Sequence, residues 1–397
     1  MSASLKVNFM GVNMLNPFML SSAPPTTNTE MVARSFDAGW GGAVLKTLAY
    51  NLKLVQNVNP RIHSYKYDGK LCAFTNFELG SPKTIERWAE DTLKLKRDYP
   101  EHAVFVSLLH TEGLYKDQWQ EVTKIFNQTG CDGYELNFSC SHGMAEGGGG
   151  AAIGENEEKV REIASWVIEA TDKPVIVKLP AMVSDLPGKA AAAEAAGAKA
   201  IATINTLNSI SGVDIYNFVP TPTVDGKSAF QGMSGPAIKP IGLRSVAQIA
   251  KRVSIPISGI GGISNWKDAV EYITLGSQTV QVCSAVMQYG YRIINDLTAG
   301  VLNYMEEMGF NSIEDFRGKA LDNIIRHNDL NRNYTLKSHI NTDKCVGCGL
   351  CTIACKDSGY TALSLDENRT VIVDTEKCDG CGLCKQVCPI DECISMQ

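Results

Sequence analysis

Apolar residues along this chain follow two rhythms that alternate. Short, near-continuous apolar runs occupy residues 18–23, 42–47, 103–109, 133–139, 175–179, 200–205, 255–261 and 279–284. Between them lie longer stretches whose apolar positions recur three and four apart, among them 158–171, 188–196, 242–251 and 266–275. The first rhythm is that of strands buried on both faces, the second that of amphipathic helices. Ser264 stands where an N-cap belongs before Trp266, and Gly276 follows as a stop. Eight strand–helix units over this length predict an α/β fold with the parallel sheet closed as a (β/α)8 TIM barrel over residues 1–308.

Past the barrel the chain changes character. Cys345-x-x-Cys348-x-x-Cys351-x-x-x-Cys355 is repeated as Cys378-x-x-Cys381-x-x-Cys384-x-x-x-Cys388-Pro389. This is the sequence form of a bacterial two-cluster ferredoxin. Three cysteines at x-x intervals wrap one face of a 4Fe–4S cubane, and the fourth ligand comes from the distant repeat. On that logic Cys345, Cys348, Cys351 and Cys388 hold one cluster, and Cys378, Cys381, Cys384 and Cys355 the other. Gly347, Gly349, Gly380 and Gly382 suit the tight turns this requires. Zinc sites use two cysteine pairs and have no need of a third x-x-Cys or a late Cys-Pro. The expectation is a linker over 309–340 and a two-cluster ferredoxin-like domain over 341–397.

What ends each apolar run suggests where chemistry sits. Ser21, Ser22 and Ala23 end the first, Lys46 and Thr47 the second, and Asn137, Ser139 and Cys140 the fourth. Lys178 ends the fifth, Asn205 and Thr206 the sixth, Gly261 and Gly262 the seventh, Cys283 and Ser284 the eighth. In a barrel these ends meet on one catalytic face. The loops after the last two strands read Ser258-Gly259-Ile260-Gly261-Gly262-Ile263-Ser264 and Gln281-Val282-Cys283-Ser284, where such barrels cradle a phosphate. Gly259-x-Gly261 is not a dinucleotide fingerprint: it comes late, lacks the third glycine at the right offset and has no acidic residue at the expected distance. With Lys46 and Lys178 at the same rim, the cradle points to flavin mononucleotide (FMN), and Lys178 is assigned to the N1–C2=O edge of the flavin.

The fourth strand runs through Cys140 toward the glycine run 147–150, which reads as a mobile lid. A thiol at Cys140 can protonate one face of a substrate while flavin N5 gives hydride to the other. The rival acid is His142, and a buried inert thiol is the other alternative.

Composition narrows the setting. The 397 residues are 44% hydrophobic and 20% charged, ordinary for a soluble globular protein of more than one domain. A net charge of −6 gives no footprint for nucleic acid. The first ten residues do not read as a signal peptide, and no apolar run is long enough for a membrane span, so the expected location is cytoplasmic. Thirteen cysteines then imply reduced thiols and metal sites; Cys72, Cys131 and Cys393 are left as structural. Clusters carry one electron and organic reductions need two, which FMN can interconvert. With no nicotinamide-binding motif in the chain, NADH and FAD enter only through a partner.

These residues resemble the dihydroorotate and dihydropyrimidine dehydrogenases, and the whole chain resembles the FMN/iron–sulfur catalytic subunit of the bacterial NAD-dependent dihydropyrimidine dehydrogenases. The marks are Asn137-x-Ser139-Cys140, Asn205-Thr206, Ser234-Gly235-x-Ala237-Ile238-Lys239-Pro240, Gly261-Gly262 and Asp357-Ser358-Gly359-Tyr360. The resemblance implies a pyrimidine held by Asn76, Glu78, Asn137, Asn205 and Thr206, with Cys140 as general acid. It implies FMN contacts at Ala23, Lys46, Asn137, Lys178, Gly235, Gly261, Gly262, Cys283 and Ser284. The implied reaction is reduction of the C5=C6 bond of uracil or thymine. The implied partner is an FAD- and NAD(P)H-binding iron–sulfur flavoprotein in a hetero-oligomer, with pairing of barrels as a further option. Glu78 disfavours orotate, whose own carboxylate it would repel. Ser141 departs from the family, which usually has proline after the catalytic cysteine.

Overall fold

Eight parallel strands form the centre of the larger unit: β1 (Phe18–Leu20), β2 (Gly42–Val44), β3 (Ala103–Leu109), β4 (Gly133–Asn137), β5 (Val175–Leu179), β6 (Ala200–Thr203), β7 (Ile257–Ile260) and β8 (Ser277–Val282). Each pairs in parallel with its neighbours in chain order, and β8 pairs back onto β1, so the sheet closes as a barrel. This computed structural model describes residues 3–50, 55–109, 115–140 and 148–397. Its chain divides into two units, Met1–Asn323 and Ile324–Gln397.

The apolar runs became these strands because both faces are covered. Every residue of β1, β2, β3, β4 and β5 is buried. The helices show the complementary pattern. Ile85–Asp98 buries Trp88, Asp91, Thr92 and Leu95; Lys116–Asn127 buries Trp119, Val122, Thr123 and Phe126; Glu157–Ile168 buries Val160, Ile163, Ala164 and Val167. That i, i+3, i+4, i+7 spacing is one helical face laid on the barrel.

Some boundaries differ from the sequence expectation. The polar tails of the runs lie beyond the ladder: β1 stops at Leu20 and β2 at Val44, after which the backbone turns to loop partners, as when Lys46 N–H donates to the Thr26 carbonyl at 3.1 Å. Asn265, not Ser264, caps the helix Trp266–Thr274. Its side chain accepts from the Lys267 and Asp268 amides, while Asp268 Oδ2 accepts from the Ser264 and Asn265 amides. The amide-bearing residue makes the reciprocal capping box, so the helix starts there.

The segment read as a linker divides. Ile313 and Phe316 join the barrel unit's core, with Phe310 stacked on Phe316 at 5.4 Å between ring centroids. Ser338–Ile340 is instead a strand of the second unit.

A four-stranded antiparallel sheet, in the order Leu207–Ser209, Gln231–Ser234, Lys70–Asn76, Ile62–Tyr67, belongs to the barrel unit. Sequence patterning missed it because Ile62–Tyr67 is largely exposed and carries no buried apolar face. Its ends deliver Asn76 and Ser234 toward the rim.

In the second unit, Ser338–Ile340 pairs with Ile394–Met396 and Leu363–Leu365 with Val371–Val373. The helices Leu350–Asp357 and Leu383–Val387 follow the two cysteine loops. Its small core joins Ile340, Leu363, Val371 and Ile394 to the thiols of Cys351, Cys384 and Cys393. Among the described residues, no helix is long and apolar enough to cross a membrane.

Candidate active site and cluster cavities

The strand ends and the antiparallel sheet line a cavity with about 1140 Å³ of empty space, counting the open solvent at its mouth. The lining contains Cys140, Asn76, Glu78, Asn137, Asn205, Thr206, Ala23, Lys46, Lys178, Gly235, Gly261, Gly262, Cys283 and Ser284. Among the described residues, every barrel residue assigned from the sequence to cofactor, substrate or proton transfer therefore faces one space.

A chain of hydrogen bonds fixes the amides at the rim. Asn137 Nδ2 donates to Thr47 Oγ1 at 3.1 Å, and Thr47 Oγ1 in turn meets Ser22 Oγ at 2.8 Å and Ser107 Oγ at 2.9 Å. On its other side Asn137 Oδ1 accepts from Ser139 Oγ at 2.8 Å, and Ser139 Oγ accepts from Asn205 Nδ2 at 3.0 Å. Asn205 Oδ1 accepts from the Thr206 amide at 2.7 Å, while Asn76 donates to Gly232 O at 3.0 Å and accepts from the Glu78 amide at 3.0 Å. Amides held at both ends present defined donors and acceptors to a ligand.

Two lysine–carboxylate pairs supply the charge. Lys46 Nζ lies 2.7 Å from Glu78 Oε2, and Arg61 Nε donates to Glu78 Oε1. Burial by itself raises the pKa of Glu78, but the charge of Lys46 and the bonds from Lys46 and Arg61 outweigh it and hold the carboxyl below its usual value. Glu78 thus stands at the rim as an acceptor. The second pair is deeper: Lys178 Nζ lies 3.5 Å from Oε1 of Glu135, whose side chain is 0% exposed.

The phosphate end is built for close backbone approach. Gly235, Gly261 and Gly262 have φ of +92°, +128° and +70°, the region that favours glycine. A Cβ on Gly262 would come within 2.9 Å of Gly235 O and 2.8 Å of Lys239 Cβ. Tyr272 Oη supports the loop by donating to Gly261 O at 2.7 Å. Gly259 has a different reason from the one its motif suggests: a Cβ there would strike the Tyr272 ring at 2.5 Å. Ser284 Oγ meets Ser234 Oγ at 2.9 Å across the cradle. Ser21 Oγ and Gln281 Oε1 are buried, belong to cavity-lining residues and have no hydrogen-bond partner among the described residues. Cradle, cations and orphaned polar atoms together suit FMN.

Two cysteines face this cavity. Cys283 follows β8; burial pushes its thiol up to about 11 against the pull of Lys46 and Lys178. Cys140 follows β4, half-buried, packed with Ala49, Val55, Leu79 and Leu109. Gly149 and Gly150 are buried, and a Cβ on Gly150 would meet Cys140 O at 2.6 Å and Cys140 Cβ at 2.9 Å. Position 150 requires glycine because the backbone passes tight against Cys140 there. Ser141, His142 and Gly147 lie outside the described residues.

In the second unit the eight repeat cysteines fall into two sets. Cys345, Cys348, Cys351 and Cys388 line one cavity of about 330 Å³ of empty space, and Cys355, Cys378, Cys381 and Cys384 line another of about 320 Å³. The sets mix the repeats in the way expected from the spacing. Among the described residues no three His, Cys, Asp or Glu side chains are close enough to hold one ion. A cubane asks for something else, four thiolates spread around four irons. Gly347, Gly349, Gly380 and Gly382 have φ from +63° to +80°, so the turns need glycine.

Several residues escaped the sequence reading. Arg61 has no motif to mark it and is found only by its contact with Glu78. Glu135 and Gln281 stand inside strands β4 and β8, where a charge or amide in an apolar run was the available signal. Lys239 reaches Asp268 at 2.7 Å and Glu271 at 2.8 Å, tying the loop after Gly235 to the helix after Gly262. Cys393, left as structural, lines the first cluster cavity.

Comparison with known proteins agrees with this division. Residues 4–305 match the family described as dihydroorotate dehydrogenase, and residues 338–396 match a 4Fe-4S dicluster domain. The chain is 39% identical to the NAD-dependent dihydropyrimidine dehydrogenase subunit PreA of Escherichia coli (strain K12), over 100% of this chain and 96% of that protein. It is 36% identical to the chloroplastic dihydropyrimidine dehydrogenase (NADP(+)) of Arabidopsis thaliana, over 82% of this chain and 79% of that one. It is 35% identical to the catalytic subunit of dihydroorotate dehydrogenase B (NAD(+)) of Pyrococcus abyssi, over 80% of this chain and 99% of that one.

Proposed function

The chain belongs to the dihydroorotate dehydrogenase family, extended by a 4Fe–4S dicluster domain, and from that premise we propose that this oxidoreductase reduces the C5=C6 bond of uracil or thymine. The observation that carries the reading is the convergence of Cys140, Glu78, Asn76, Asn137, Asn205 and Thr206 on one cavity that also holds a phosphate cradle. The full-length match to a dihydropyrimidine dehydrogenase subunit supports the substrate class.

Bound FMN would supply hydride chemistry at N5, and the clusters single-electron relay from a partner that oxidises NADH through FAD. The residues of this chain do the rest. Uracil alternates C=O and N–H along its edge. Glu78, kept as a carboxylate by Lys46 and Arg61, accepts from a ring N–H, and the amides of Asn76, Asn137 and Asn205 match the carbonyls and the remaining N–H. The hydroxyls of Thr47 and Ser139 hold Asn137 in place, so orientation is set before the ligand arrives. Cys140 gives its proton to C5. Gly235, Gly261, Gly262 and Ser284 would hold the phosphate, and Lys178 would serve the polar edge of the flavin.

Cys140→Ala should keep FMN and iron while turnover on uracil falls by roughly 10²–10⁴-fold, the usual worth of a positioned acid; Cys140→Ser should retain a fraction. Full activity in Cys140→Ala would remove the thiol from the mechanism. Turnover on uracil, thymine and orotate with an artificial reductant separates this reading from a dihydroorotate dehydrogenase or another cyclic ene reductase. A flavin spectrum that responds to none of the pyrimidines would leave the chain a non-catalytic electron carrier.

A further inference from the structure

The floor of the barrel cavity contains a charge that none of the roles above uses. Barrel interiors are ordinarily closed by layers of branched apolar side chains. Here Glu135 of β4, Lys178 of β5 and Gln281 of β8 meet in the interior instead. The Glu135 side chain is 0% exposed and Lys178's is 5% exposed. Gln281 Nε2 donates to Glu135 Oε2 at 2.8 Å, which fixes the carboxylate, and Oε1 is turned toward Lys178 Nζ at 3.5 Å. Among the described residues Oε1 has no hydrogen-bond donor, and the charge that faces it is the Lys178 ammonium. Lys178 and Gln281 line the cavity; Glu135 is not part of the lining.

An ion pair this deep costs desolvation that apolar side chains would avoid, so it is weak as a stabilising device. Its geometry serves something else. A fixed negative charge behind Lys178 offsets part of the positive charge that Lys178 presents to the cavity. We propose that Glu135 is a positioning and charge-setting residue that acts through Lys178, lowering the reduction potential of the bound flavin, with Gln281 holding the carboxylate in register. This rests on the reading that FMN occupies the cavity with Lys178 at its polar edge. On that reading Lys178 stabilises the negative charge that reduction puts on the flavin, and Glu135 limits how far it does so.

The test is the flavin midpoint potential of the full-length, FMN-loaded chain, followed by spectroelectrochemistry with the clusters monitored separately by EPR. Lys178→Met should lower the potential and Glu135→Gln should raise it. Glu135→Asp keeps the charge but retracts it by one methylene, and should raise the potential by a smaller amount. Removing both charges, in Lys178→Met with Glu135→Gln, should lower the potential by less than Lys178→Met does alone, because the two charges act in opposite senses, an outcome that a general packing role would not produce. A potential that moves with Lys178→Met but stays put in Glu135→Gln overturns the inference and leaves the FMN reading intact. Should Glu135→Gln fail to fold, Glu135→Asp carries the test by itself, and an unshifted potential in it overturns the inference equally. A native chain that binds no flavin overturns the reading beneath it instead.

Discussion

The eight repeat cysteines of the second unit lie between Cys345 and Cys388, while the groups lining the barrel cavity run from Ser21 to Met287. In the small unit the thiols are also part of the core: Cys351 and Cys384 pack with Ile340, Leu363, Val371 and Ile394. In the barrel the site borders the core but is not built from it: Ile260, Ile263 and Val282 belong to both, while the polar groups that line the cavity stand at or next to the strand ends and on the loops beyond them. A site merged with its core should fall with its ligand, and a site set on a scaffold should be lost without the scaffold noticing.

The largest expected effect tests that contrast. A unit of this size seldom stands on apolar burial alone and leans on staples such as metal centres. Removing the clusters with an iron chelator under anaerobic conditions, or replacing the buried Cys378 by alanine, should unfold the Ile324–Gln397 unit. Limited proteolysis should then release the barrel unit intact, still holding FMN and still turning over with an artificial reductant. Loss of flavin along with iron would show that the two units do not fold as separately as their cores suggest.

The next effect lies on the barrel side. Gly262→Val puts a β-branched side chain at φ +70°, with its Cβ within 2.9 Å of Gly235 O. The left-handed backbone costs about 1–2 kcal/mol for a residue with a Cβ, and the new carbon fills space the phosphate needs. Because the added side chain blocks the cradle, FMN affinity should fall at least about tenfold, or about 1.4 kcal/mol. The backbone strain acts on the barrel whether or not flavin is bound, so the apo-barrel should lose a few degrees of Tm, about 2–4 °C per kcal/mol, while flavin binding suffers in addition from the filled cradle. An equal fall in both would mean that the cradle belongs to the scaffold after all.

The same contrast explains what could be read from the sequence. Cysteine spacing is a local signal, and the ligand sets inferred from it are the sets that line the two cavities. The strands were legible because burial on both faces leaves an uninterrupted apolar run, and their polar ends marked the rim. Arg61 was not legible because it meets Glu78 through folding that brings a loop beside the end of Lys70–Asn76, and no periodicity records that encounter. The antiparallel sheet that carries Asn76 was missed for the related reason that its outer strand buries almost nothing. Glycines misled in both directions: Gly259 makes room for Tyr272, and Gly150 for the backbone of Cys140. Close approach and positive φ look alike in a sequence, because both simply require that no side chain be present.

The smallest expected effect is the acid dependence of the barrel, and it sharpens the comparison by separating charge from ligand. Glu78 is held below the usual carboxylate pKa by Lys46 and Arg61, so its folded pKa is depressed relative to the unfolded chain. Its contribution is then fully present above the ordinary carboxylate range and is lost as pH falls through the folded value. Each unit of separation is worth about 1.4 kcal/mol, which for a unit this large shifts Tm by only about 2–4 °C. Glu78→Gln should flatten the acid limb of the barrel's Tm–pH curve and leave the neutral region parallel to the native one. The small unit should respond to acid differently, because its thiolates must protonate to let iron go, and cluster loss is a release of ligand rather than a titration within a fold. Thermal scans of the full chain from neutral pH downward, with iron release followed in parallel, should therefore show two independent acid limbs, of which Glu78→Gln alters only the one belonging to the barrel. If the substitution moved both, the carboxylate at the rim would have to be energetically linked to the clusters, and the separation of scaffold-borne site from core-borne site would fail at Glu78.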